Sequence, residues 1–253
     1  MMPSRFYYPS EISAGRVIEL PANAAHHAAR VLRLEQGDAV TLFNGAGGEF
    51  AATIARIGKS GAAVMVEKHL AIERESPLSI TLAQAVCANE KMDWIVQKGV
   101  ELGVSRIQPI AANRSVVRLS GERADRRMQH WQQIAISACE QCGRNRVPQV
   151  LPLLSLPYWL GGKKGEQHDL NQGHDLCFML SPSAKQRLRD FPEAVTAATL
   201  TLLVGAEGGF APEEETAAVV AGFIPLRLGG RILRTESAAL ASIAAMQTLW
   251  GDY

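Results

Sequence analysis

Cysteine is scarce in this sequence: four thiols, Cys87, Cys139, Cys142 and Cys177, are spread over 253 residues. The opening MMPSRFYYPS lacks the charged-then-apolar order of a secretory signal, so free thiols are expected rather than a disulfide framework. No apolar run reaches the roughly 20 residues that a helix needs to cross a bilayer. Together these absences point to the cytoplasm. Net charge is also lacking, at +1, which by itself says nothing about a nucleic-acid partner. Lysine is sparse too, with 19 Arg against 7 Lys, and arginine is the better bidentate reader of phosphate.

What is present is ordinary globular material, 47% apolar and 20% charged, in a chain long enough for two modest domains. Seven arginines (Arg114, Arg118, Arg123, Arg126, Arg127, Arg144, Arg146) face only Glu122, Asp125 and Glu140 over the same stretch. Such unevenness suits an anionic partner, although arginines on a solvated helix face give the same excess.

Up to about Leu70 the chain reads as short strands (RVIEL, AVTLFN, EFAATIARI, AAVMVEKHL) separated by the glycine turns at 44–48 and 58–61, a small β-barrel pattern. One helix interrupts them, with Asn23 as its expected cap and a basic face of His26, His27 and Arg30, ending near Leu32. The polar AIERESP, closed by Pro77, is the linker candidate, giving domains over 1–73 and 74–253.

From Leu78 strand and helix alternate: SITLAQAV, a helix from about Met92 to Leu102, RIQPIAA, a helix from about Ala124 to Cys142, DLCFML and TLTLLVG. That rhythm predicts an α/β fold on a mostly parallel sheet, with the apolar TLTLLVG central. A helix from about Pro212 to Ala221, the strand FIPLRL and a last helix from about Ser237 follow. The last, SAALASIAAMQTLW, is small or apolar on every side and is expected to be buried in a core or a dimer interface. The polar stretch GGKKGEQHDLNQGHD reads as a loop with no assigned role.

Two segments carry chemistry. Val204-Gly205-Ala206-Glu207-Gly208-Gly209-Phe210 is a glycine loop between a buried strand and a helix start. It lacks the Lys-Ser/Thr of a phosphate loop and the spacing of a dinucleotide fingerprint, which makes an oxidoreductase remote. An acidic glycine loop suits a neutral or cationic ligand such as S-adenosylmethionine; a tight strand-to-helix turn is the rival reading. Leu228-Gly229-Gly230-Arg231-Ile232-Leu233-Arg234-Thr235-Glu236-Ser237-Ala238 then concentrates backbone freedom, two arginines and a carboxylate beside an apolar helix.

GAEGGF followed by LGGRILRTESA resembles the paired C-terminal signature of the ribosomal RNA small subunit methyltransferase E family, whose members methylate N3 of a uridine in 16S rRNA. Further matches are Lys91-Met92-Asp93-Trp94-Ile95-Val96-Gln97-Lys98 with Glu101-Leu102-Gly103-Val104, the stretch from Trp131 through Glu140-Gln141 to Arg144 and Pro148, and Val31-Leu32-Arg33. Ala206 stands where the family has proline, and Ser237 where it has threonine. The resemblance implies a SPOUT-type α/β domain with a deep trefoil knot, a departure from the rule against knots, after a PUA-like β-barrel, in a homodimer joined through the knotted region.

Carried over residue by residue, the resemblance implies a cofactor pocket at Leu180, Gly205, Glu207, Gly208, Leu228, Gly229, Ile232 and Leu233, with apolar side chains flanking the adenine. Arg234 would stabilise charge on the uracil carbonyls while Glu207 or Glu236 assists removal of the N3 proton. Arg5, Arg30, Arg33, Arg114 and Arg144 would hold RNA phosphates around a flipped or unpaired uridine.

A metal site is not expected. Cys139-x-x-Cys142 has no second pair at matching spacing, the neighbouring His26 and His27 diverge on a helix, and His168 and His174 fall in the polar loop. A SPOUT enzyme acting on another RNA and a non-catalytic RNA-binding factor are the alternatives.

Overall fold

The computed structural model describes residues 3–59, 61–163, 176–191 and 199–253. They form two compact units, one of residues 1–75 with 139–147 and the other of residues 76–138 with 148–253.

The first unit is built on β1 (Ser4–Tyr7), β2 (Val17–Glu19), α1 (Ala22–His26), β3 (Ala39–Phe43), β4 (Glu49–Gly58) and β5 (Gly61–Leu70). The sheet order is β1-β3-β4-β5-β2, with β1 parallel to β3 and the other pairs antiparallel. Alternation along β4 and β5 turns Ala52, Ile54, Val64 and Val66 inward, where they meet Phe6, Leu42 and the small residues Ala24, Ala25 and Ala28 of the helical segment. Period-two burial of this kind is what holds the register of a one-faced sheet.

Asn23 does not cap the helix. Pro21 occupies the cap position with φ −51°, no side chain bonds the free N–H groups, and Asn23 lies inside the first turn. Proline has no N–H to satisfy and its fixed φ already suits a helix start. The helix continues into a wider, π-type turn over His27–Val31, after which Arg33 sits in the left-handed region at φ 53°.

Arg5 and Arg144 are buried within the first unit and not on the exposed, RNA-facing wall that the sequence suggests. Each side chain is only 7% exposed. Arg5 bonds Glu49 at 2.6 Å, the Asn145 carbonyl oxygen Oδ1 at 2.6 Å and the Arg144 main-chain oxygen at 3.2 Å. Arg74 reaches the same Glu49 at 2.8 Å, and Arg144 pairs with Glu75 at 2.5 Å. A guanidinium out of water is held only by such charge-assisted bonds, so these arginines fasten the unit instead of reading phosphate.

The second unit comprises β6 (Ser79–Ala85), α2 (Asn89–Glu101), β7 (Val104–Ala111), α3 (Gly121–Cys142, whose last turn belongs to the first unit), β8 (Gln149–Val150), β9 (Leu154–Ser155), α4 (Leu156–Lys163), β10 (Leu176–Leu180), β11 (Thr199–Val204), α5 (Pro212–Val220), β12 (Ile224–Leu226) and α6 (Thr235–Trp250). The sheet runs β12-β10-β11-β6-β7-β8, with β9 also on β7, and every pairing is parallel. As its composition requires, β11 is central between β10 and β6, with Leu200, Leu202 and Leu203 fully buried.

Gly161 to Lys163 finish α4 instead of opening a loop. The rest of that polar stretch, including His168 and His174, lies outside the described residues. The last helix is not buried on every side in the single chain. Ala239, Ile243, Met246 and Trp250 point inward, while Ser237, Ala241, Thr248 and Leu249 are exposed. Its chief helical neighbour is α2, which covers one side only.

Candidate functional site

The carboxyl ends of the parallel strands β10, β11 and β12 open on a pocket of about 660 Å³. That is the end of an open α/β sheet where ligands bind, because loops there diverge and leave a crevice. Leu180, Gly205, Glu207, Gly208, Leu228, Gly229, Ile232 and Leu233 all line it, as do Arg114 and Arg234.

The loop after β11 is a tight turn closed by a bond from the Gly209 N–H to the Ala206 oxygen at 2.9 Å, with Gly209 at φ 66°. A Cβ on Gly205 would lie 3.0 Å from Gly209 Cα and 3.1 Å from its carbonyl carbon. Glycine is therefore needed there for the chain to fold back on itself. Gly205→Ala is expected to destabilise the second unit by about 1–3 kcal/mol and lower its Tm by several degrees, which scanning calorimetry reads directly; an unchanged Tm would show that the turn relaxes freely.

The two signature loops are tied together by Thr235 and Gln84, neither of which is among the expected site residues. Thr235 Oγ1 donates to the Gly205 oxygen at 2.6 Å, and Gln84 Nε2 donates to Thr235 Oγ1 at 3.0 Å and to the Ala85 oxygen at 2.9 Å. Both are buried. The available signal was a glutamine near the end of the central strand SITLAQAV: a polar group buried on such a strand needs hydrogen-bond partners, which the Gln84 amide nitrogen finds.

Glu207 accepts hydrogen bonds from Lys91 Nζ at 3.0 Å and from the Ala88 N–H at 3.2 Å. Burial pushes its carboxyl up, but its own backbone N–H, Lys91 and Ala88 outweigh that and hold it below the usual carboxylate range. The same hydrogen bond raises Lys91. Glu236 does not line the pocket, and its Oε2 is buried with no hydrogen-bond partner among the described residues. The adjacent Cys87 thiol is pushed up to about 12 by burial first, and by the charge of Glu207 next, so it is no nucleophile.

Arg234 is exposed at the cap position of α6, with φ −65° and ψ 154°, and its main-chain oxygen accepts the Ala238 N–H at 2.8 Å. Arg114 donates to the Gly208 oxygen at 3.2 Å, which places it at the pocket. Ile232 is 85% exposed, whereas Leu180, Leu228 and Leu233 are half-buried and form apolar wall. Glu214 is buried and accepts hydrogen bonds from the Asn113 and Ala211 N–H groups at 2.7 and 2.9 Å. Arg231 of the second signature segment also lines the pocket, as does Glu215, which no motif singled out.

Arg30 and Arg33 lie exposed in the first unit. Cys139 is buried in α3, its thiol raised to about 12 chiefly by burial. Among the described residues no three His, Cys, Asp or Glu side chains come together as a metal cluster, and no helix is long and apolar enough to cross a membrane.

The RNA methyltransferase domain family matches residues 74–247, and the RNA methyltransferase PUA domain family matches residues 20–66. A ribosomal RNA small subunit methyltransferase E of Buchnera aphidicola is 34% identical over 98% of this chain and 97% of its own length. Among solved structures, a ribosomal RNA small subunit methyltransferase E from Neisseria gonorrhoeae, bound to S-adenosyl methionine, is 40% identical with a TM-score of 0.89 and full coverage of both chains. A Legionella pneumophila protein in complex with the cofactor SAM is 38% identical with a TM-score of 0.92, again over the whole of both chains.

Proposed function

The chain belongs to the ribosomal RNA small subunit methyltransferase E family, and from that premise we propose that it transfers a methyl group from S-adenosylmethionine to N3 of a uridine in the 16S rRNA of the small ribosomal subunit. The observation that carries this is the convergence of both signature loops on one pocket, joined by the Thr235 to Gly205 hydrogen bond.

The residues present fit that cofactor. The pocket is within the few-hundred to thousand Å³ range of small-ligand sites. Its half-buried leucines offer an apolar slot for a purine, its glycine turns leave backbone groups in reach, and Glu215 offers a carboxylate to the ligand's ammonium or hydroxyl groups, whereas Glu207 is paired with Lys91. Bound there, S-adenosylmethionine supplies an electrophilic methyl group.

The uracil N3 is a poor nucleophile while it carries its proton, so the protein must favour the anion. Arg234, exposed at the pocket, stabilises charge on the uracil carbonyl oxygens. Of the two candidate carboxylates, Glu207 is the better placed because it lines the pocket and Glu236 does not. Its lowered pKa makes it a weak base, so it accepts a hydrogen bond from N3–H and passes the departing proton on to water as N3 takes the methyl group, while Arg234 holds the charge left on the carbonyl oxygens.

We read residues 74–253 as a SPOUT-type domain with a trefoil knot and 1–73 as a PUA-like barrel that holds RNA. Support for the first is the 228–235 segment lying against the Gly205 turn; support for the second is the PUA-family match. Arg30, Arg33 and Arg114 remain as phosphate contacts. A second copy of the chain packs on the exposed small-residue face of α6, giving a homodimer in the cytoplasm.

Incubating the protein with labelled S-adenosylmethionine and small subunits from cells lacking this enzyme tests the reading. Label is expected in 3-methyluridine of 16S rRNA, from a preparation with the mass of two chains. Label in another nucleoside overturns the substrate, and a one-chain mass overturns the dimer.

A further inference from the structure

A second cavity, of about 700 Å³, lies wholly within the first unit. Its floor is apolar: Leu20 and Ala25 are buried, and Leu34 and Ile57 pack against the unit's core. Its rim carries the exposed His26, Arg30 and Lys59. Glu19, the acidic residue among those lining it, is ion-paired with Arg56 at 2.5 Å, so it does not cancel these cations. Among the described residues neither Arg30 nor Lys59 forms an ion pair.

The backbone around the cavity is also unusual. Arg30 lies within the π-type turn and His26 directly precedes it, and two residues beyond the turn Arg33 holds a left-handed conformation without being glycine. Wide turns and left-handed non-glycine residues are costly and gather at binding sites, where the surrounding fold maintains them.

We propose that this cavity is a nucleotide site for single-stranded RNA. The base lies on the Leu20, Ala25 and Ile57 floor, its phosphate meets Arg30 and Lys59, and the His26 imidazole contacts the base or sugar edge. A bare phosphate would leave the apolar floor unused, and a paired base could not leave its stack to enter. The choice of RNA as the partner rests on the function proposed above; the cavity and its cations do not. It gives the first unit a grip on an unpaired nucleotide separate from the uridine that is methylated.

The test uses the full-length protein and a uridine hexanucleotide carrying one 4-thiouridine, with binding followed by fluorescence anisotropy and crosslinks mapped to peptides. Two variants are compared: Arg30→Ala with Lys59→Ala, which removes the phosphate contacts, and Ala29→Leu, which fills space at the rim and leaves every charge in place. We expect crosslinks within residues 19–34 or 57–61, at least tenfold weaker binding in both variants at unchanged Tm, and a salt slope flatter by about 0.7 in the double variant, for the one phosphate it no longer neutralises. Crosslinks confined to the second unit, or variants that bind as tightly as the parent, overturn the proposal. Free uridine monophosphate binding as tightly as the hexanucleotide overturns the RNA assignment in favour of a mononucleotide site. Methylation of small subunits is a separate readout: if it proceeds while the cavity binds nothing, only this inference falls, and if the cavity binds RNA while no methyl is transferred, only the proposed reaction falls.

Discussion

Arg234→Ala is expected to slow methyl transfer by about 10²–10³-fold, the loss seen when one preorganised donor facing a developing negative charge is removed. Affinity for S-adenosylmethionine should stay within a few-fold of the parent. The fold is not at risk, because the contribution of Arg234 to α6 is its main-chain oxygen, which accepts the Ala238 N–H, and its side chain is exposed. Single-turnover methylation of small subunits, with cofactor binding measured by calorimetry, separates the outcomes. Unchanged turnover removes Arg234 from the chemistry. Loss of cofactor affinity in proportion to turnover would instead make it a cofactor-binding residue. Arg234→Lys should fall between, since an ammonium keeps the charge and loses the planar fork.

The contrast between Arg234 and Arg5 shows what a sequence does and does not reveal. Arg234 is placed by its motif, and its position at a helix start beside glycine turns is a local property. Arg5 looks the same by composition, yet its guanidinium is held by Glu49 and by Asn145, 140 positions away; no local pattern reports such a partner. The same holds for Gln84, which meets Thr235 across 151 positions. The parallel sheet was legible because strand and helix patterns alternate, and the central place of β11 followed from its almost wholly apolar composition. The short pairings of Ser4–Tyr7, Gln149–Val150 and Leu154–Ser155 were missed, since two to four residues give no periodicity. The cap at Asn23 failed because Pro21 starts the helix earlier, and both residues are good start signals when read alone.

The second large effect concerns the charge cluster inside the first unit. Glu49→Gln leaves Arg5, only 7% exposed, and the partly buried Arg74 without their carboxylate, and breaking a buried pair in this way costs about 3–5 kcal/mol. The variant should unfold its first unit at clearly lower urea concentration, seen as faster hydrogen exchange at the β4 amides. The effect must also depend on pH. Burial pushes the Glu49 carboxyl up, but hydrogen bonds and charge from Arg74 and Arg5 overcome this and bring it down from 4.5 to about 2. A carboxyl lowered on folding stabilises the folded state fully above its unfolded value near 4.5, and that contribution, about 3 kcal/mol, is lost as the pH falls through about 2. The parent and Glu49→Gln should therefore differ most near neutrality and converge in acid, where the parent's own Glu49 is protonated and carries no charge to hold the two arginines. A difference that persists undiminished at pH 2 would mean that the glutamine disrupts packing, and that the ion pairs contribute little.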